Sequence, residues 1–172
     1  MIPEFSRPVA LARVPPEGRE ERLTATPAER AALALRFGIP AVNRFSADLR
    51  LKPEPGGGIA ITGRLSAEVV QDCVVTLEPV TQQVSEDVRL RILGPGETYS
   101  EDPEAPDEVE APGGVAELGE ALAEQLSLAL DPYPRAPGAV LPGEAPVPEA
   151  EAAPETAPKN PFAALAALKG RK

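Results

Sequence analysis

Arg44–Lys52 (RFSADLRLK) and Ile59–Val70 (IAITGRLSAEVV), joined by Pro53–Gly58 (PEPGGG), set the fold class. In the first run, Phe45, Ala47, Leu49 and Leu51 alternate with Arg44, Ser46, Asp48, Arg50 and Lys52. In the second, Ile59, Ile61, Leu65, Ala67 and Val69 share one parity. A period of two on both sides of a Gly-rich turn predicts a β-hairpin with one apolar and one polar face. The same parity runs on through Cys73, Val75 and Leu77, and a third run places Val84, Val88, Leu90 and Ile92 on one face. The expectation is an antiparallel sheet with its apolar face turned inward.

Two helices flank these runs. Thr26-Pro27-Ala28-Glu29 has the form of a capping box with proline at the first helical position, and Gly38 is a suitable stop. In Val115–Leu130, residues Val115, Leu118, Leu122, Leu126, Ala129 and Leu130 recur at three and four, giving an apolar stripe that ends at Asp131-Pro132. The fold class expected is therefore α+β: a hairpin-based antiparallel sheet covered by two helices.

Charge divides the chain of 172 residues, whose formal net charge is −10. Residues 1–96 are neutral in sum, 97–155 carry −14, and 156–172 carry +4. Glu97–Pro112 has seven acids, three prolines and no base, too little apolar surface to offset the entropy of ordering it. It reads as a disordered loop at about 97–113 inside a single domain, 1–141. Residues 142–158 repeat that Pro/Glu/Ala composition and read as a disordered linker, and 159–172 as a short amphipathic segment. No leader and no run of about 18 apolar residues is apparent, so a cytoplasmic protein without a membrane partner is expected.

The side chains that could do chemistry are few. With no His, neither a Ser-His-Asp nor a Cys-His arrangement can be built. One Cys excludes an internal disulfide and leaves a structural zinc site without its ligands, so no metal and no cofactor is expected. Glu86 and Asp87 read as a solvated strand face rather than an acid–base pair, and Gly56–Gly58 precede a strand and lack the Lys-Ser/Thr of a phosphate loop. Cys73 reads as a small buried apolar residue. Tyr99 and Tyr133 fall in or beside proline-rich loops. No catalytic residue is assigned, and the protein is expected not to be an enzyme.

Arginine outnumbers lysine 13 to 4, and residues 1–64 carry a net +3. Arg44, Arg50 and Arg64 take the outward parity of the hairpin and Lys52 stands beside its turn. With Lys169, Arg171 and Lys172 at the terminus they are the candidate phosphate contacts. The aromatic platforms of sheet-based RNA readers are missing. Asn160-Pro161-Phe162 opens a segment whose Phe162, Leu165 and Leu168 could anchor in a partner's groove or pack back on their own domain.

Four stretches taken together carry a family resemblance: EFSRPVALARV near the N-terminus, Val70–Val80 with its Cys73-Val74-Val75-Thr76-Leu77-Glu78-Pro79 core, the helix VAELGEALAEQLSLALDPYPR, and the closing NPFAALAALK. In this order they resemble the YceD family, also called large ribosomal RNA subunit accumulation protein, in its alphaproteobacterial branch. The most specific parts are the stretch holding Cys73, Leu77, Glu78 and Pro79, and the NPF segment. The resemblance implies a bacterial, cytoplasmic, non-enzymatic factor for synthesis, processing or accumulation of large-subunit ribosomal RNA, with precursor RNA or an assembling ribosomal particle as partner. The alternative is a protein-interaction adaptor that presents the NPF segment without touching RNA. Many relatives carry Cys-x-x-Cys-Leu-Glu-Pro and a second cysteine cluster that looks like a metal site. Here Thr76 takes the second Cys position and Tyr133–Gly138 has no Cys, so the resemblance implies that this metal site is lost.

Overall fold

The computed structural model describes residues 3–140. Along the chain come β1 (Pro8–Ala10), β2 (Arg19–Thr24), α1 (Pro27–Phe37), β3 (Ala41–Pro53), β4 (Ile59–Asp72), β5 (Pro79–Ile92), β6 (Asp107–Val109), β7 (Val115–Glu117) and α2 (Leu118–Leu128). The architecture is α+β. One sheet has the order β2-β3-β4-β5-β6, and β1 and β7 form a second, two-stranded antiparallel sheet.

Helix α1 starts and stops on local chemistry. The Thr26 hydroxyl accepts the Glu29 N–H while the Glu29 carboxylate accepts the Thr26 N–H, and Gly38 ends the helix at φ +66°. β3 and β4 pair antiparallel from Pro53↔Ile59 outward, with Glu54 N–H donating to Gly58 O across the turn. β4 and β5 pair antiparallel over fourteen positions. The inward residues Phe45, Leu49, Leu51, Ile61, Leu65, Val69, Val88 and Leu90 join Leu33 of α1 and Leu118, Leu122 and Leu126 of α2 in one buried cluster.

The sheet departs from the expected form at three places. First, it is mixed, because β6 runs parallel to β5. The acidic segment is drawn onto the sheet there by Arg91, whose guanidinium contacts Glu54, Glu97 and Glu108 at 2.8, 2.9 and 3.3 Å. Composition alone counts the acids of 97–112 without the arginine that faces them across the sheet. Second, the strand parity stops at Asp72. Cys73 N–H bonds to Glu78 O and Leu77 N–H to Cys73 O, which closes a tight loop and turns the chain into β5. Leu77 is accordingly 76 % exposed, not inward. Third, Val115 lies on β7 and not on the helix stripe, and it is exposed. The 142–158 and 159–172 segments lie outside the described residues.

The N-terminal segment clasps the two helices. Ser6 Oγ and Arg7 N–H both donate to the Glu117 carboxylate ahead of α2, and Leu118 N–H donates to Arg7 O. Arg7 also forms a two-point pair with Glu29 at the start of α1. Arg36 of α1 bridges Glu4 and Glu120. Arg7 holds the Glu29 carboxyl down at about 2, well below the usual range.

Candidate nucleic-acid interface and the Cys73 loop

Strand register arranges the outward side chains in rows across the sheet. Thr24, Ser46, Ser66 and Ser85 stand opposite one another on β2 to β5 and form a row of hydroxyls. On one side of it lies the row Arg22, Asp48, Arg64, Asp87, and on the other Arg44, Glu68, Gln83. Beyond the first comes Glu20, Arg50, Thr62, Arg89. Such rows follow from period-two alternation: every second residue of each strand points to solvent, and pairing fixes which ones meet.

Arg44, Arg50, Lys52 and Arg64 are all on this face. The arginines' partners there are acids, an amide and a hydroxyl, the last being Ser85 Oγ, which accepts from Arg64 at 3.3 Å. Arg64 pairs with Asp87 at 2.6 Å, Arg22 with Asp48 at 3.4 Å, Arg50 with Glu20 at 3.5 Å, and Arg44 donates to Gln83 at 3.2 Å. Lys52 and Arg89 make no ion pair among the described residues. The amides of Gln83 and Asn43 converge on Glu68 and lower its carboxyl below the ordinary range. An open cleft of about 520 Å³ lies where Arg22, Asp48, Arg50 and Thr62 meet. Among the described residues no aromatic side chain stands in these rows.

Arg22 and Arg89 belong to the same face and escape a reading of the sequence that selects only the hairpin. Arg89 shares the outward parity of its own run, which is a usable signal. Arg22 sits in Arg19–Thr24, where only Leu23 is buried, so nothing in that stretch announces a strand. Lys169, Arg171 and Lys172, and the partner-motif candidates Asn160, Pro161, Phe162, Leu165 and Leu168, lie outside the described residues.

Elsewhere, Cys73 is fully buried at the end of β4. Its sulfur accepts three backbone N–H groups, from Val75 and Thr76 at 3.4 Å and from Ala136 at 3.2 Å. Val74 N–H donates to Pro134 O, so the segment after α2 is stitched to this loop. Glu78 is exposed beside Thr76, and Pro79 opens β5 opposite Asp72. The Thr76 hydroxyl and the Ala136 N–H favour the thiolate more than burial opposes it, which brings the thiol down to about 7. Donors converging on a sulfur stabilise negative charge, but the buried position keeps that sulfur from substrates.

A pH prediction follows from this loop. A thiol whose folded pKa is lowered stabilises the protein above its unfolded pKa, and that contribution is lost as pH falls through the folded value. The stability advantage of the wild type over Cys73→Ser is therefore expected to widen as pH rises from about 7 towards 9. Thermal unfolding of both proteins across that range checks it, and a pH-independent difference would contradict it.

No described helix is long and apolar enough to cross a membrane. Among the described residues no group of three or more acidic or Cys side chains is placed to hold a metal ion. A family model described as "Large ribosomal RNA subunit accumulation protein YceD" matches residues 61–169. No curated protein and no solved structure matches the chain.

Proposed function

We infer that this chain, which belongs to the YceD family, supports accumulation of large-subunit ribosomal RNA as a non-enzymatic, cytoplasmic binding factor. It touches precursor RNA or an assembling particle through the outer face of its sheet. The observation that carries this reading is the hydroxyl row Thr24, Ser46, Ser66, Ser85 between two arginine-bearing rows. Hydroxyls and arginines are the donors that position phosphate and sugar groups. The ion pairs already on the face are exposed, and exposed pairs hold weakly in water, so phosphates can displace the carboxylates. With no aromatic platform in the rows, the face favours the shape and backbone of structured RNA over stacked single-stranded bases. A chain without His, whose one thiol is buried, supports a binding role over a catalytic one.

The test is filter binding to large-subunit ribosomal RNA fragments, structured and unfolded, over a range of salt. The wild type is expected to prefer the structured fragment and to lose affinity steeply with salt. Replacing Arg44, Arg50, Arg64 and Arg89 by Gln is expected to flatten the log–log slope by about 0.7–0.9 for every phosphate that is no longer neutralised. A variant that keeps the wild-type affinity and slope would remove the sheet face from the interaction.

A further inference from the structure

A second surface has the opposite character. The last residues of α1 (Phe37, then Gly38) and of α2 (Ser127 and Leu128) come together at an open groove of about 600 Å³ that also takes in Gln71 and Asp131. Both are eleven-residue helices, and both turn their C-terminal ends to the groove. Those ends carry the carbonyls without intrahelical partners and the negative pole of the helix dipole. Asp72 and Asp131 add two exposed carboxylates, and no lysine or arginine is among the described residues lining the groove.

An independent observation sits in its wall. Gln71 is the one polar residue buried with the core among the described residues, at 8 % exposure. Its Nε2 donates to Asp131 O at 2.9 Å, which fixes the amide's orientation and leaves Oε1 without a hydrogen-bond partner. Gln82 holds the same turn from the next strand, donating to Ala129 O and accepting the Asp131 N–H. The acceptor is therefore held by a latched turn, next to two helix C-termini and two carboxylates. A buried carbonyl oxygen with no donor is costly, and a site rich in acceptors and without a cation of its own favours a donor that is also a cation. The rim is apolar: Leu128 lines the groove at 85 % exposure, with Ile39 and Pro132 beside it.

We propose that this groove receives a lysine or arginine side chain from a basic protein segment, with the Asp72 and Asp131 carboxylates as its acceptors, the unpartnered Gln71 Oε1 attracting the cation from within the wall, and Leu128 and Ile39 as the rim for a neighbouring aliphatic side chain. Charge complementarity selects the partner. Two negative helix ends and two carboxylates repel a phosphate backbone and attract a cationic peptide. The groove is distinct from the outer sheet rows, so one chain presents a basic-bearing face to RNA and an acidic groove to protein.

The test uses the full chain, nitrogen-labelled, with its amide resonances followed by NMR. The probes are a short peptide of lysine, leucine and glycine, its glutamate-for-lysine counterpart, and a uridine oligonucleotide. The lysine peptide is expected to shift the Gln71 side-chain amide, Gly38 and Leu128–Asp131, and the glutamate peptide is expected to leave them in place. Asp72→Asn with Asp131→Asn keeps the oxygen that caps the Tyr133 N–H and is expected to weaken peptide binding about tenfold. The same double variant is expected to bind ribosomal RNA as the wild type does, which separates this inference from the sheet-face reading. Shifts confined to the acidic stretches 97–112 and 142–158 would overturn the proposal. So would undiminished binding by the double variant, or the same groove shifts with the oligonucleotide.

Discussion

Phe45→Ala is expected to lower the unfolding free energy by about 3–5 kcal/mol, the range for truncating a buried aromatic to alanine. The ring is 1 % exposed on β3, opposite the small Ala67 of β4, so no large cross-strand neighbour is ready to fill the space. Its aromatic partner is Phe5, also 1 % exposed, whose ring centre lies 4.9 Å away at a tilt of 51°. Tilted aromatic pairs add about 0.5–1.5 kcal/mol beyond the area they bury. The Arg7 guanidinium stacks 4.3 Å from the Phe5 ring centre and continues to Glu29, which completes the α1 cap. Losing Phe45 therefore leaves a cavity and loosens the tether that joins the N-terminal segment to the sheet and to α1. For a domain stable by roughly 5–15 kcal/mol this removes about a fifth or more. Urea unfolding should show a lower midpoint with an unchanged slope. Arg44→Ala, one residue away and exposed, should stay within about 0.5 kcal/mol of wild type. A loss at Phe45 no larger than that would mean that the Phe5 tether is not where the packing energy lies.

The contrast between these neighbouring residues shows which features the sequence made legible. α1 could be bounded to the residue because its start and stop depend on contacts within four positions: Thr26, Pro27, Glu29 and Gly38 are all local. β3, β4 and β5 announced themselves because each buries one face over many residues, so alternation repeats often enough to be seen. β1 and β7 are three residues each and β2 buries only Leu23, so their existence depends on partners far along the chain. The Cys73 loop failed for a different reason. Parity can be counted through a turn without noticing it, and only the Cys73–Glu78 hydrogen bonds reveal the reversal. The outer face was half legible. Alternation put Arg44, Arg50 and Arg64 outward, but Asp48, Glu68 and Asp87 become their row-mates only through register, and Arg22 only through the edge strand. The groove at Gln71 was not legible at all, because two helix ends and a buried amide meet there from distant parts of the chain.

Gly119→Ala is expected to destabilise the protein by about 3 kcal/mol, at the upper end of the range for overpacking, although local propensity argues for the reverse. Inside a helix alanine is favoured over glycine by about 1 kcal/mol, and Gly119 lies in the first turn of α2. Tertiary contact decides the sign. A Cβ at this position would collide with Phe5 O and lie 2.9 Å from Arg7 N, and backbone atoms cannot rotate out of the way as a side chain can. The N-terminal segment must lift from α2, and its hydrogen bonds go together: Leu118 N–H to Arg7 O, and Ser6 and Arg7 to Glu117. Lifting that segment also draws Phe5 away from Phe45. The two substitutions therefore damage one structure by different routes, and their effects should not add. In a double-mutant cycle, Gly119→Ala with Phe45→Ala is expected to cost at least about 1 kcal/mol less than the sum of the single losses, well beyond the roughly 0.5 kcal/mol seen for independent sites. Amide exchange at Arg7 and Leu118 should quicken in Gly119→Ala, whereas the β4–β5 ladder, which has no contact with that segment in its register, keeps its protection. Strict additivity, or a Gly119→Ala protein more stable than wild type, would show that α2 and the N-terminal segment can separate without loss. The clasp between the two helices would then be a contact of convenience rather than the element that holds α2 against the core.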